Sequence, residues 1–390
     1  MSRRQILGVW AILALGVVSY AFGGQEQWLN YHSSRQYRSF VDGTHSQHIQ
    51  ITTEKPEGVE LPEFKSDEPL FGKFKTPMVK DGYLWIALDR NNKKGVYGIL
   101  YVDSNGNKSL KDETAIAAYA REQSYAQFGP IAVMFDSNDG PITYHFNLSF
   151  SGYQEKKYVY VSSGCWYEGQ ITADGTKYQC MLIDYDSDGT FNEKSINQGK
   201  ADRIQIKKDG KWESAFVGNY ITIADKLYNL KVARDGAFIK LTPAVDVNYG
   251  KFRVPSEIVE LQVGGNNGSF LFRPENGLCK IPTGQYQILK WSIEEKKGID
   301  VWQLQARGSN EKARFIVTET NEPNLMIGQP VISKLEIFQN EKNHQINYTL
   351  EGRLGESITI SRNNSRVSAP KVYITNADKS YDKTFNLEYG

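Results

Sequence analysis

The sequence predicts an all-β chain with several domains, built from antiparallel β-sandwich or barrel-like units. Turn signals rich in Gly, Asn and Asp recur about every 8 to 12 residues, which is typical of these architectures. Aromatic residues make up 12% of the chain, and together with Val, Ile and Thr they suit a pleated, half-buried surface. Hydrophobic residues occupy 40% of 390 positions, which is enough for more than one buried core.

The first element is a segment with the layout of a secretory signal peptide. Arg3 and Arg4 precede an uncharged, apolar run that reaches Phe22 and ends among small residues. We therefore expect residues 1–23 to be removed and the mature protein to begin near Gly24, in the periplasm or outside the cell. The run of about 17 residues also allows an uncleaved anchor, and only in that case do we expect contact with a membrane.

The rest of the chain divides by changes in its pattern. Residues 24–64 are polar and weakly patterned, and we expect an extended leader. Strand-like runs then predict a β domain with acidic loops over 65–225 and a second β domain over 226–327. An immunoglobulin-like sandwich is expected over 328–390, and it ends on a strand-like run without an evident closing strand. The Ala-rich stretch 109–128 is the one good helix candidate, with a long loop as the alternative.

Charge and motifs exclude several classes of function. The chain has 46 basic and 45 acidic residues, so no overall charge favours a nucleic acid, and we expect no such partner. Walker A, G-x-G-x-x-G, G-x-S-x-G and H-E-x-x-H motifs do not occur in the sequence. No catalytic residue is therefore assigned, and any electrostatic function must be local.

The three cysteines leave two interpretations open. Cys165 and Cys180 flank a predicted hairpin turn, and a disulfide could join the two strands if a bulge shifts their register. Isolated buried thiols are the alternative for these two residues. No C-x-x-C motif occurs, so a thiol redox centre is not indicated.

One short stretch, LIDYDSDGTFNEK (182–194), carries the clearest functional signal. Asp184, Asp186 and Asp188 alternate along the chain, and Gly189 follows at once. This D-x-D-x-D-G pattern begins the calcium loop of EF-hands, in which alternating carboxylates converge on the ion and the glycine allows a sharp turn. Calcium is therefore the predicted cofactor, and a solvated acidic turn is the alternative.

Residues that follow Gly189 supply the remaining candidate ligands of this loop. The carbonyl of Thr190 and the side chain of Asn192 occupy the next positions that supply oxygen in such loops. The usual closing glutamate is replaced by Ser195. We expect Asp202 to close the site, with Glu193 as the second choice.

A second loop has the same spacing. The stretch ILYVDSNGNKSLKDE places Asp103, Asn105 and Asn107 directly after a predicted strand, although a lysine replaces the glycine. Asparagine oxygens can bind calcium but bring no charge, and Asp112 or Glu113 could complete the shell. An Asn-rich turn without metal is the alternative.

The two loops together resemble those of a group of uncharacterised exported bacterial β-rich proteins with strand-flanked, EF-hand-like D-x-D-x-D-G calcium loops. The resemblance extends over roughly residues 60–390, but only the loops are specific. It implies calcium binding and export, and it implies no catalytic activity.

We therefore expect an exported calcium-binding structural or binding protein of the cell envelope or extracellular space, with an envelope protein or a glycan as a further partner. The alternative is a carbohydrate-binding protein or a glycoside hydrolase. Exposed aromatic rings would then serve as sugar platforms, and the candidates are Trp166, Tyr167, Trp291 and Trp302.

Overall fold

The computed structural model describes residues 24–36, 45–137, 140–153, 156–308, 311–340 and 343–389. These residues form antiparallel sheets, and the one helical element among them is a single 3₁₀ turn at Glu311–Ala313. The predicted all-β, multi-sheet class is confirmed, and none of the described sheets closes into a barrel. The expected signal peptide, 1–23, lies outside the described residues.

The first nineteen strands belong to the N-terminal part of the chain. They are β1 (Glu26–Trp28), β2 (Asn30–Ser33), β3 (Gln47–Ile49), β4 (Ile51–Thr52), β5 (Leu70–Lys75), β6 (Tyr83–Arg90), β7 (Tyr97–Val102), β8 (Ile116–Ala117), β9 (Ala120–Glu122), β10 (Tyr125–Phe135), β11 (Ile142–Tyr153), β12 (Lys156–Ser163), β13 (Cys165–Ala173), β14 (Thr176–Ile183), β15 (Arg203–Lys208), β16 (Lys211–Phe216), β17 (Tyr220–Ile223), β18 (Lys226–Val232) and β19 (Phe238–Pro243).

The remaining strands form the C-terminal part. They are β20 (Tyr249–Arg253), β21 (Ile258–Gly265), β22 (Gly268–Phe272), β23 (Leu278–Pro282), β24 (Gly284–Lys297), β25 (Asp300–Arg307), β26 (Arg314–Val317), β27 (Ile332–Asn340), β28 (Asn343–Glu351), β29 (Ser357–Arg362), β30 (Ser365–Arg366), β31 (Lys371–Thr375) and β32 (Asp382–Asn386).

Four sheets make up the N-terminal part. Their strand orders are β1-β19-β18-β17, β3-β12-β11-β10-β9, β16-β15-β14-β13-β2 and β4-β5-β6-β7-β8. In the described parts of the expected leader, 24–36 and 45–64, four short strands each lie at the edge of a different sheet. β1, β2 and β3 pair with strands that are far away in the sequence, whereas β4 pairs with the next strand, β5.

The N-terminal sheets share one large hydrophobic core, which runs from Leu29 to Leu241. A domain boundary was expected between residues 225 and 226, but this point falls in the turn of the β17–β18 hairpin, where Ile223 lies opposite Lys226. The two sides of that boundary therefore share a sheet. A second core begins at Phe252.

The C-terminal strands extend a neighbouring sheet instead of forming a separate immunoglobulin-like sandwich. The order β22-β21-β24-β25-β29-β28-β27 is continuous, and β31 pairs with β32 alone. Beyond Gly328, the buried residues within the described ranges are Gly352, Glu356 and Ile358. Ile358 packs into the second core. Many of the segment's large apolar side chains, such as Leu335, Ile337 and Tyr373, are exposed, so the segment does not bury a core of its own.

The helix prediction for residues 109–128 is wrong. This stretch contains β8, β9 and the start of β10. Ile116 pairs with Leu100, and the alternating residues Ala126 and Phe128 are buried in the first core. Burial at a period of two outweighs the modest helix propensity of the alanines. Within the described residues, no helix is long and apolar enough to cross a membrane.

All three cysteines are free and buried. Cys180 lies opposite Gly169 in the β13–β14 register, and Cys165 lies opposite Ser33, so the expected cross-strand disulfide does not form. Burial raises the pKa of the Cys165 thiol to about 12, which keeps the thiol protonated near neutral pH.

Candidate metal centre

The acidic loop connects β14 to β15, two neighbouring antiparallel strands of one sheet. Two residues with positive φ curl its backbone, Ser187 at 62° and Gly189 at 95°. A Cβ atom at Gly189 would lie only 3.1 Å from Phe135 Cε2 and 3.2 Å from Thr76 Oγ1. Glycine adopts this conformation without strain, whereas a larger residue would also need Phe135 and Thr76 to shift by a few tenths of an ångström.

The three alternating aspartates converge as their spacing predicts. Asp184, Asp186 and Asp188 each offer a carboxylate oxygen, and these oxygens lie within 4.8 Å of one another. Asp184 is fully buried, and the other two are half-buried. No other group of three or more metal-ligating side chains of this kind occurs in the part of the chain that the structure describes.

Asp184 organises the loop around its own carboxylate. Its Oδ1 accepts the backbone N–H of Ser187 at 2.7 Å and that of Asp188 at 3.2 Å, and its Oδ2 accepts that of Gly189 at 2.9 Å. The hydroxyl of Tyr144, on β11, donates to Oδ2 at 2.8 Å. These donors hold the first carboxylate in place, and they partly offset the cost of burying its charge.

Asp186 lacks such donors. Its Oδ1 is buried and has no hydrogen-bond partner among the described residues. Burial, and after it the charges of Asp184 and Asp188, raise the pKa of Asp186 to about 8. An unpartnered carboxylate oxygen beside two other carboxylates is unfavourable in the protein alone, and a bound cation would relieve both effects.

A small cleft opens beside these aspartates. It is lined by Pro77, Asp186, Asp188, Thr190, Asn192, Glu193, Lys200 and Arg234. The Arg234 guanidinium donates an N–H to the Pro77 carbonyl oxygen at 2.7 Å. Glu193 brings a fourth carboxylate to the site. Burial raises the pKa of Glu193, and so does the charge of Asp188.

Asp202 was expected to close the site, but its carboxylate binds backbone N–H groups and does not line the cleft. It is fully buried, and its two carboxylate oxygens accept the backbone N–H groups of Tyr185 at 3.0 Å and Glu193 at 2.7 Å. Asp202 therefore ties the start of the loop to its middle, and it positions Glu193 at the cleft.

The other two expected residues, Thr190 and Asn192, both line the cleft. Thr190 donates its backbone N–H and its hydroxyl to Asp188 Oδ1, at 2.9 and 2.8 Å. Between them, Phe191 is buried and packs edge-on against Tyr167, with ring centroids 5.2 Å apart. Phe191 thus anchors the loop to the first core.

The loop also contacts the leader segment. The backbone N–H of His45 donates to the Tyr185 carbonyl at 2.8 Å, and the Ser187 hydroxyl donates to the His45 carbonyl at 3.0 Å. The side-chain amide of Gln47 donates to the Ser187 carbonyl at 2.8 Å. Tyr144 and Gln47 contribute to this site from distant parts of the chain, and no local sequence motif marks either of them.

The second loop, with Asp103, Asn105 and Asn107, connects β7 to β8. Its Asp103 is 1% exposed, whereas both asparagines are exposed. The structure does not bring three carboxylates together here. The side-chain amide of Asn107 donates to Asp112 Oδ2 at 2.9 Å.

Most of the aromatic residues considered as sugar platforms are unsuited to that role. Trp166 and Tyr167 are 8% exposed, and Trp291 is fully buried, where its Nε1–H donates to Glu356. Trp302 is half-buried. Packing in the protein interior accounts for the first three rings.

Comparisons with known proteins identify no relatives. No protein-family model matches the chain, and no curated protein or solved structure is significantly similar to it.

Proposed function

We propose that the loop between β14 and β15 binds Ca²⁺, and that the protein is an exported structural or binding component stiffened by this ion. The observation that carries the proposal is the buried, unpartnered Asp186 Oδ1 within a cluster of three carboxylates. Acidic loops can exist without an ion, but a solvated turn would leave its carboxylates in contact with water.

The chemistry of the donors favours calcium. We propose oxygens from Asp184, Asp186 and Asp188, the carbonyl of Thr190, and the carboxylate of Glu193 as the closing ligand. Calcium accepts six to eight oxygens at about 2.3–2.6 Å in a flexible shell, so waters or Asn192 can complete it. Magnesium demands a stricter octahedron and gives up its waters reluctantly.

The site has a structural role in this proposal. The loop is bonded to β11 through Tyr144 and to the leader through His45 and Gln47. An ion that fixes the loop therefore also strengthens contacts between two sheets, because β3 and β11 belong to one sheet and β14 and β15 to another. The aromatic residues considered for a glycan site are mostly buried.

Calorimetry with the two ions tests the proposal. We expect calcium to bind with Kd of about 10⁻⁶–10⁻³ M and magnesium to bind at least about tenfold more weakly, because the shell is flexible and rich in carboxylates. Asp209→Asn removes an exposed acidic residue on a distant turn and should bind calcium like the wild type. No heat with millimolar calcium would refute the proposal.

Export is proposed from the segment 1–23 alone. Mass spectrometry of the protein purified from its native source should find an N-terminus near Gly24, in the periplasmic or extracellular fraction. An intact Met1 in the membrane fraction would instead indicate an anchor.

A further inference from the structure

The loops that begin at Asp103 and Asp184 share several conformational features, although their sequences match at few positions. Both connect neighbouring antiparallel strands of a sheet, β7 to β8 and β14 to β15. Residues with positive φ occupy the fourth and sixth positions of each loop. They are Ser187 and Gly189 in one loop, and Gly106 (73°) and Lys108 (65°) in the other.

Two of the internal hydrogen bonds also correspond, although Asp184 Oδ1 accepts two N–H groups and Asp103 Oδ1 accepts none. Lys108 donates its backbone N–H to Asp103 Oδ2 at 3.1 Å, as Gly189 does to Asp184. Ser109 donates its N–H to Asn107 Oδ1 at 2.7 Å, as Thr190 does to Asp188. Lysine therefore replaces glycine at the sixth position without loss of the turn.

A carboxylate closes the start of each loop, the fully buried Asp202 in one and the half-buried Glu113 in the other. Glu113 Oε1 accepts the backbone N–H of Ser104 at 2.5 Å, just as Asp202 accepts that of Tyr185. Asp202 lies opposite Asp184 when the β14–β15 pairing is continued, and Glu113 lies opposite Asp103 when the β7–β8 pairing is continued.

The tenth position completes the correspondence. Glu193 holds it in the first loop, at the metal cleft, and Asp112 holds it in the second. The Asn107 amide donates to Asp112 Oδ2 at 2.9 Å. This hydrogen bond holds the Asp112 carboxylate close to the fifth position of its loop.

A separate observation points to a ligand in the second loop. Asp103 is 1% exposed, and its Oδ1 has no hydrogen-bond partner among the described residues. Oδ2 accepts an N–H from within the loop, so the carboxylate lies inside the curl of the backbone. Only four buried side-chain polar atoms in the described chain lack a partner, and Asp103 Oδ1 and Asp186 Oδ1 are two of them. A cation would satisfy this oxygen.

We propose that the Asp103 loop is a second, weaker calcium site, an inference that rests on the proposed function of the Asp184 loop. Its ligands are Asp103, the amide oxygens of Asn105 and Asn107, the carbonyl of Ser109, and Asp112. Two carboxylates replace the four of the first site, so calcium binds less tightly here. The Lys108 ammonium opposes the ion little, because it pairs with Asp81 at 2.7 Å.

Calcium titration of the full chain by calorimetry tests the second site. We expect the wild type to bind two calcium ions, the second at least about tenfold more weakly, since ligand charge tunes the affinity of such loops. Asp186→Ala should abolish the tight site and keep the weak one. Asp112→Asn should abolish the weak site and keep the tight one. Asp209→Asn should keep both.

A variant with one more carboxylate distinguishes an absent second site from one that is too weak to detect in the wild type. Asn107→Asp adds a third carboxylate and should tighten the second site by about tenfold. Three results together would overturn the second site and leave the first intact. The wild type would bind one calcium ion, Asp186→Ala would bind none, and Asn107→Asp would bind no additional ion. No calcium binding by the wild type would instead refute the proposed function, and the second site with it.

Discussion

Asp186→Ala should abolish most of the calcium-dependent rise in the melting temperature. A ligand that binds only the folded state stabilises it by about 2.7 kcal/mol at a hundredfold excess over Kd. For a folding unit of the size of the N-terminal part, this corresponds to roughly 5–10 °C. The substitution removes a proposed calcium ligand whose Oδ1 has no protein partner, so the ion should lose affinity while the apo fold loses no hydrogen bond at that atom.

Four melting curves decide this prediction: wild type and Asp186→Ala, each with calcium and with a chelator. With chelator, the variant should melt at or above the wild-type temperature, because repulsion among the three carboxylates is reduced. Asn105→Ala should leave most of the calcium-dependent shift in place. If the wild-type curve is the same in calcium and in chelator, the acidic loop is a solvated turn.

Phe191→Ala should reduce both stability and calcium affinity. Its ring is 2% exposed and packs against Tyr167, so truncation should cost about 3–5 kcal/mol by leaving a cavity in the first core. The loop also loses its anchor next to Thr190 and Asn192. Calcium binding must then order the loop, and an ordering cost of about 1.4 kcal/mol weakens affinity about tenfold.

Phe252→Ala is the matched control, because Phe252 is equally buried but belongs to the second core. Chemical denaturation should give a similar loss of stability for this variant, with calcium affinity unchanged in calorimetry at a temperature where both variants are folded. Equal calcium affinities for the two variants would mean that Phe191 does not position the loop.

The local features of this chain could be predicted from the sequence. Strands and turns follow from the alternation of apolar residues and from Gly, Asn and Asp, and the convergence of Asp184, Asp186 and Asp188 follows from their spacing. The helix expected over 109–128 shows the limit of local reasoning, because its alanines have helix propensity but its alternate residues are buried in a sheet.

The non-local features could not be predicted. Asp202 stood at a plausible distance for a ligand, but the strand register places it opposite Asp184, where it accepts N–H groups. Tyr144 and Gln47 reach the loop from another sheet, and their positions depend on how the two sheets pack. The expected boundary near residue 225 failed to separate two units for the same reason, since a hairpin crosses it.

The placement of the leader strands has a consequence for the order in which the chain can fold. β1 lies early in the sequence, but its Glu26 lies opposite Lys240 on β19. β2 likewise cannot pair until β13 has been synthesised. Pairings between such distant residues require closure of long loops, which makes folding slow. A chain that emerges from its N-terminus therefore keeps β1 unpaired until β19, the last strand of the N-terminal part, has appeared.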